Sequence, residues 1–351
     1  MMRKVMVFLN LFFLTENAQS QISYLPYYSM VNQAEEYFFL KHDIDSAFIL
    51  YDKAFSLVPK PFVKDCFIAA ELALFTGDTS QCLKYLEKTF RAGMPLKAME
   101  QNPMFVKLLQ DQNWLQRLTK IKANCQPFRY NQQIRDSVYQ RFYDEQVIKR
   151  KSDTRAFFNI AHNNCQYFAQ WLKKGVFPSE QMIGLYTDEG FADFREHYHL
   201  PDYENHSASA AVLKSASPGI SFTEIPYDYA LWNQAAFISF LHDPCSFQQY
   251  KSEWWKAVEQ GYIHPKDFAL MEEWLAKSVS NPNYQHDCTV PVQEAYYNIT
   301  YELRVKDEEL LKQVEDKRKK AYLQSFKIDQ MKREFRQVHK LNLFFGFLDL
   351  R

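Results

Sequence analysis

Hydrophobic and polar positions follow a helical period from about residue 30, and turn residues interrupt that period at regular intervals. The period predicts four helices, over 31–41, 46–57, 62–75 and 80–92. Turns that contain aspartate, proline or glycine separate these helices. The helices therefore form two hairpins of about 34 to 35 residues each, which indicates an internal repeat.

Small side chains occupy corresponding positions in the two predicted hairpins, since Ala47 of the first aligns with Cys82 of the second. Such residues allow two packed helices to approach closely. The pattern resembles the tetratricopeptide repeat (TPR) over residues 30–92, with Thr89 at a position where that repeat favours alanine. Two hairpins are too few to bury their own faces, so we expect them to dock on another part of the chain.

The segment 93–121 is the expected docking partner of the hairpins. It resembles the degenerate repeat that closes many bacterial TPR arrays, and its apolar residues, among them Phe105 and Trp114, would cover the open end of the stack. Residues 124–131 then interrupt the helical pattern. The sequence thus predicts a TPR-like helical-repeat domain over 21–125, with a domain boundary after it.

Helical periodicity returns in the second half of the chain. Predicted helices cover 134–149, 154–173, 229–241, 246–260 and 265–279, and one or two charged helices lie within 292–338. Glycine, proline and serine accumulate over 187–226, which predicts a long irregular insertion. We therefore expect an all-α protein with N-terminal TPR-like helical hairpins, followed by a C-terminal helical domain over 131–345 that contains this insertion.

The second predicted domain carries a series of short motifs. They are Asp144-Glu145-Gln146 with Arg150, Asn163-Asn164, Phe240-Leu241-His242-Asp243, Trp254, Ala257-Val258, Gly261-Tyr262-Ile263 and Arg318-Lys319-Lys320. Together they resemble an uncharacterised family of bacterial exported domains that often follows TPR-like hairpins. The resemblance implies no activity, and the insertion at 187–226 departs from the family pattern.

The start of the chain has the three parts of a secretory signal peptide. Residues 1–4 are basic, residues 5–14 are apolar, and Ala18-Gln19-Ser20 provides the small residues of a cleavage site. The apolar run is shorter than the ~20 residues that a transmembrane helix needs. We expect residues 1–20 to be removed, and the mature protein to be periplasmic or extracellular with no transmembrane segment.

Charge excludes one class of partner. Lys+Arg and Asp+Glu balance at 42 each, so the chain offers no basic face for nucleic acid. The nearest basic block, Lys317-Arg318-Lys319-Lys320, lies among other charges and predicts a solvated helix face. The six cysteines fit an oxidising compartment. Cys66 and Cys82 lie on neighbouring predicted helices, where they either pair as a disulfide or serve as small core residues.

Histidines in the insertion are the best candidate metal ligands. In an extended segment, His197 and His199 would point the same way, and His206 could complete a three-ligand site with a vacancy for water. Zinc there would lower the pKa of bound water and allow hydrolysis. The alternative is that these are ordinary surface histidines.

Polar residues on facing helices form a second candidate site. Asp144 and Arg150 lie on one predicted helix, His162 and Asn163 on the next, and His242 at the end of a later one. They line a pocket or, alternatively, form a hydrogen-bond network that fixes helix packing. His242 at a helix end also suits a capping role.

Familiar catalytic signatures do not occur in the sequence. It contains no G-x-G-x-x-G, P-loop, G-x-S-x-G or H-E-x-x-H motif. We therefore predict a module that binds another protein or a peptide, without a cofactor, because helical hairpin stacks present grooves of this kind. The alternative is a metal-dependent hydrolase that uses the histidine-bearing insertion, so whether the protein is an enzyme stays open.

Overall fold

Helices dominate the computed structural model of the chain. It describes residues 22–100, 102–151, 153–201, 234–279, 288–290, 297, 308–339, 341 and 343. Within these residues there are sixteen α-helices and no strand, which confirms the predicted all-α class. The predicted signal peptide, most of the insertion and His206 lie outside the described residues.

The helices are α1 Leu25–Glu36, α2 Ile44–Leu57, α3 Val63–Phe75, α4 Thr79–Arg91, α5 Pro103–Gln110, α6 Gln112–Asn124, α7 Gln132–Arg150, α8 Thr154–Leu172, α9 Glu180–Ile183, α10 Asp188–His197, α11 Gln234–His242, α12 Pro244–Gln249, α13 Lys251–Glu259, α14 Pro265–Val279, α15 Glu308–Lys320 and α16 Phe326–His339. A π-helical turn, Tyr37–Lys41, extends α1, and a 3₁₀ turn, Leu96–Met99, precedes α5.

The first four helices form two hairpins, α1 with α2 and α3 with α4. His42 ends the first helix in the left-handed conformation, with φ of 54°. Asp43 then caps α2 by accepting a hydrogen bond from the Ser46 N–H at 3.1 Å, and Asp78 caps α4 in the same way. The predicted hairpins are therefore present, while their likeness to the TPR stays a prediction.

The predicted cap packs on the second hairpin. The ring of Phe105 in α5 stacks on Phe67 of α3 with 5.4 Å between centroids, and Phe105 is fully buried. Leu118 of α6 is also fully buried. Helices α5 and α6 thus cover α3 and α4, as the apolar pattern of 93–121 leads one to expect.

The first hairpin docks on the second half of the chain. The Tyr28 hydroxyl of α1 donates to the carbonyl oxygens of Val258 and Ile263, at 3.0 and 3.2 Å. The Tyr24 N–H donates to the carbonyl oxygen of Glu259 at 2.8 Å. One hydrophobic core runs from α1 to α16 as a result.

Helix α16 packs against both hairpins. The ring of Phe335 lies edge-on to Phe39 at 5.5 Å and to Phe75 at 4.7 Å. The chain therefore covers this part of the hairpin surface with its own residues.

The segment predicted to be irregular begins with a helix, α10. Thr187 caps it by accepting a hydrogen bond from the Gly190 N–H at 2.9 Å. Phe191 and Phe194 bury their rings against Tyr139 of α7. Because Phe191 and Phe194 are three residues apart, both lie on the side of the helix that faces the core. Their burial stabilises the helix more than the glycine in its first turn destabilises it.

Cys66 and Cys82 do not form the disulfide that was one of the two alternatives from the sequence. Cys66 and Cys82 are both free and buried, so they are core residues. A disulfide joins Cys245 of α12 to Cys288, with 5.7 Å between the Cα atoms. It ties α12 to the segment 288–290, far along the chain from α3 and α4.

Candidate functional site

A buried carboxylate, that of Glu145 in α7, is the centre of a polar cluster between α7, α8 and α11. Glu145 is fully buried and accepts a hydrogen bond from Asn164 Nδ2 of α8 at 2.9 Å. It also accepts from Ser239 Oγ and from His242 Nδ1, both on α11. Because these two residues are three apart, α11 presents both to α7 on one face. Several donors thus compensate the burial of the carboxylate.

The imidazole of His242 has a fixed tautomer. A carboxylate only accepts hydrogen bonds, so Nδ1 carries the proton that is donated to Glu145, and Nε2 keeps its lone pair. Lys149 Nζ lies 3.2 Å from that Nε2, and the Phe157 ring contacts the imidazole at 4.7 Å. Burial lowers the pKa of His242, and the Glu145 carboxylate opposes that shift. The ring is therefore held in one orientation, and its burial disfavours the charged form.

His162 belongs to a neighbouring pair and does not contact the Glu145 cluster. Its side chain is exposed on α8, and its Nδ1 lies 2.9 Å from Asp243 Oδ2. Asp243 is the N-cap of α12, where it also accepts from the Ser246 hydroxyl at 2.6 Å. The pair thus attaches α8 to the start of α12.

An open cavity of about 440 Å³ lies between α7 and α8. Its lining residues are Arg141, Asp144, Val147, Ile148, Ile160, Asn163 and Asn164. The Arg141 guanidinium lies 3.8 Å from the centroid of the Tyr167 ring, and its Nη1 donates to Asn164 Oδ1 at 3.3 Å. We call this cavity the α7–α8 pocket; Asn164 connects it to the Glu145 cluster.

The residues predicted to form one polar pocket are divided by the structure. Asp144 and Asn163 line the α7–α8 pocket, His242 lies in the Glu145 cluster, and His162 lies beside Asp243. Arg150 is the last residue of α7, and its side chain is outside the described part of the structure. The structure thus distributes these residues over a pocket, a buried network and a surface pair.

A second cluster of charged residues, which the sequence did not predict, surrounds a cavity of about 50 Å³ between α1, α3, α15 and α16. Its buried ion pairs join Glu35 to Lys332 at 2.7 Å and Arg318 to Asp329. Arg318 is 2% exposed, so the expectation that the basic block is a solvated helix face is wrong for this residue. Its guanidinium also donates to the carbonyl oxygens of Tyr297 and Gln324, at 2.6 Å each.

The histidines proposed as metal ligands do not lie on an extended segment. His197 ends α10, and His199 follows in the left-handed conformation with φ of 54°. The premise of an extended segment therefore fails. Within the described residues, which exclude His206, no group of three His, Cys, Asp or Glu side chains is placed to hold a metal ion.

Comparison of the chain with protein-family models, with curated proteins and with solved structures found no match. In the part of the chain that the structure describes, every helix is too short or too polar to cross a membrane. The functional argument therefore rests on the geometry of the α7–α8 pocket and of the Glu145 cluster.

Proposed function

We propose that this chain is an exported interaction module, and that a protein or peptide partner inserts a side chain or a terminus into the α7–α8 pocket. The observation that carries the proposal is the composition of that pocket. An oriented guanidinium, Arg141, lies beside three aliphatic side chains in an open cavity. Apolar walls with a few fixed polar groups are typical of ligand sites.

The face of the two hairpins is a poorer candidate for the binding surface. Phe335 of α16 packs on Phe39 and Phe75, and Lys332 pairs with Glu35 on the same side. A partner would have to displace α16 and leave buried charges unpaired, which is costly. The α7–α8 pocket needs no such rearrangement.

Two features support the exported location. Residues 1–20 have the pattern of a signal peptide. The disulfide between Cys245 and Cys288 is of the kind that persists in oxidising compartments. The resemblance of 131–345 to exported bacterial domains agrees with both and stays a prediction.

Peptide display tests the proposal. A random peptide library would be selected on the mature protein, residues 21–351, and the enriched peptides would be measured against two tryptophan variants. Asn163→Trp fills the pocket, whereas Gln170→Trp places the same ring at another exposed position of α8 that does not line the pocket. We expect only Asn163→Trp to abolish binding. Equal binding by both variants would place the partner elsewhere.

A hydrolytic enzyme is the second candidate function, and the Glu145–His242 pair favours it. A buried carboxylate that holds Nδ1–H of a neutral histidine leaves Nε2 able to take a proton from water, provided that Lys149 moves aside. Chromogenic ester and peptide substrates would test this activity. His242→Gln should abolish it and Glu145→Gln should reduce it, while His162→Gln, the other carboxylate-paired histidine, should retain it.

A further inference from the structure

We infer that the α7–α8 pocket recognises the free C-terminal carboxylate of a peptide that ends in an apolar residue. The inference rests on the proposed function and names the part of the partner that enters the site. Three observations carry it: the unused donors of Arg141, the charge balance of the pocket and its aliphatic wall.

Arg141 has hydrogen-bonding capacity that the fold does not use. Within the described residues, its guanidinium donates one hydrogen bond, from Nη1 to Asn164, and Nη2 donates none. Its Nε is buried without a partner and is closed to a ligand, so the donors open to the pocket are those of Nη1 and Nη2. The Tyr167 ring, at 3.8 Å, holds the plane of the group in place. A planar guanidinium with parallel N–H groups matches a carboxylate in a two-pronged arrangement. The site is thus prepared for a planar monoanion.

The charges that line the pocket favour a monoanion over a dianion. Asp144 lies one turn from Arg141 on α7, and its carboxylate accepts from Gln140 Nε2 at 2.9 Å. The Asp144 carboxylate repels any anion beside Arg141, and it repels a phosphate dianion more strongly than a carboxylate monoanion because the repulsion scales with the charge of the ligand. A peptide terminus carries a single negative charge next to an amide N–H. The side-chain oxygen of Asn163 can accept a hydrogen bond from that N–H.

The wall of the pocket selects the last side chain of the peptide. Val147 and Ile148 of α7 face Ile160 of α8 across the cavity. An aliphatic side chain such as leucine would bury its surface there, at about 25 cal/mol per Å². A charged last side chain would instead lose hydration without a partner.

Fluorescence anisotropy with defined peptide pools tests the inference. The probes are labelled hexapeptides with five randomised residues and a fixed last residue, leucine or lysine, each made as the free acid and as the C-terminal amide. We expect the leucine acid to bind about tenfold or more tightly than its amide and than the lysine acid. Arg141→Lys, which keeps the charge and loses the planar fork, should remove most of the difference between acid and amide.

The outcomes separate the inference from the proposed function. Acid and amide that bind equally well, both blocked by Asn163→Trp, would overturn the carboxylate recognition and leave the interaction module intact. Binding that Asn163→Trp does not affect, or no binding by any pool, would overturn both. The comparison of acid with amide uses the unmodified protein, so it does not depend on the folding of a variant.

Discussion

Glu35 of α1 and Lys332 of α16 form a buried ion pair, with Oε2 and Nζ 2.7 Å apart across 297 residues of sequence. Glu35 also accepts hydrogen bonds from Gln324 and from the Tyr51 hydroxyl. Burial raises the pKa of Glu35, and the Lys332 ammonium works against that shift. The pair thus connects the first described helix to the last one through two side chains that are almost fully buried.

Removal of one partner of this pair should be strongly destabilising. Lys332→Ala leaves the Glu35 carboxylate buried without its main counter-charge, so we expect the free energy of unfolding to fall by about 3–5 kcal/mol in urea titrations. The double variant Glu35→Gln with Lys332→Met should recover most of the loss. Lys84→Ala, which breaks an exposed pair with Asp52, is the control and should cost under about 1 kcal/mol. Equal losses for the two lysine variants would contradict the prediction.

Phe335 should be responsible for closing the hairpin face. It is partly buried against Phe39 and Phe75, so Phe335→Ala should lower the free energy of unfolding by about 2 kcal/mol and increase the binding of a dye specific for exposed apolar surface. Val338→Ala on the same helix is the control, since Val338 is 71% exposed. A dye signal that rises in both variants, or in neither, would argue against the assigned role.

The disulfide should stabilise the protein by limiting its unfolded state. Cys245 and Cys288 are 43 residues apart, so replacing both with alanine should lower the free energy of unfolding by about 3–4 kcal/mol. Cys125→Ala, at a free and partly buried thiol, is the control and should change it little. Peptide mapping by mass spectrometry after alkylation without reductant would show directly whether Cys245 and Cys288 react; two alkylated thiols at these positions would refute the pairing.

Glu180 should make stability depend on pH. Burial, with Asp65 and Asp267 nearby, raises the pKa of Glu180 from 4.5 to about 8, although its Oε1 accepts from the Val63 N–H at 2.9 Å. The folded state therefore binds this proton more tightly than the unfolded state does. Its contribution to stability is complete below about pH 4.5 and is lost as the pH rises through about 8.

The measurement is the free energy of unfolding across that pH window. Glu180→Gln cannot ionise, so we expect a smaller fall with rising pH in this variant than in the unmodified protein. Glu196→Gln, at an exposed position of α10, should retain the full fall. Parallel curves for all three proteins would exclude Glu180 as the cause.

Helix positions could be predicted because local signals determine them. Asp43 and Asp78 lie in the predicted turns and cap α2 and α4. Pro265 begins α14 in the structure, as it does in the helix predicted from the sequence. Helix α1 begins at Leu25, before the predicted start at residue 31, and Pro26 lies in its first turn, where proline is tolerated. Helix α12 ends at Gln249, although the apolar pattern continues into α13 without a break.

The candidate site could be predicted only in part, because its geometry depends on a third helix. Asp144 and Glu145 are adjacent on α7, and each residue is rotated by about 100° from the next. Asp144 is exposed and lines the pocket, whereas Glu145 is buried. Which of these two side chains is buried depends on where α11 places Ser239 and His242, and no local sequence pattern contains that information. Arg318 is a similar case, since its partner Asp329 comes from the next helix.

The pairing of α1 with α16 has a consequence for the order of events during synthesis. The hairpins are synthesised long before residue 326. Until α16 has been made, the Glu35 carboxylate lacks Lys332 and the Phe39 ring lacks Phe335. A chain halted between α14 and α16 would carry a charged and aromatic patch open to proteases and to other chains. The docking of α16 is therefore the step that completes the burial of this patch.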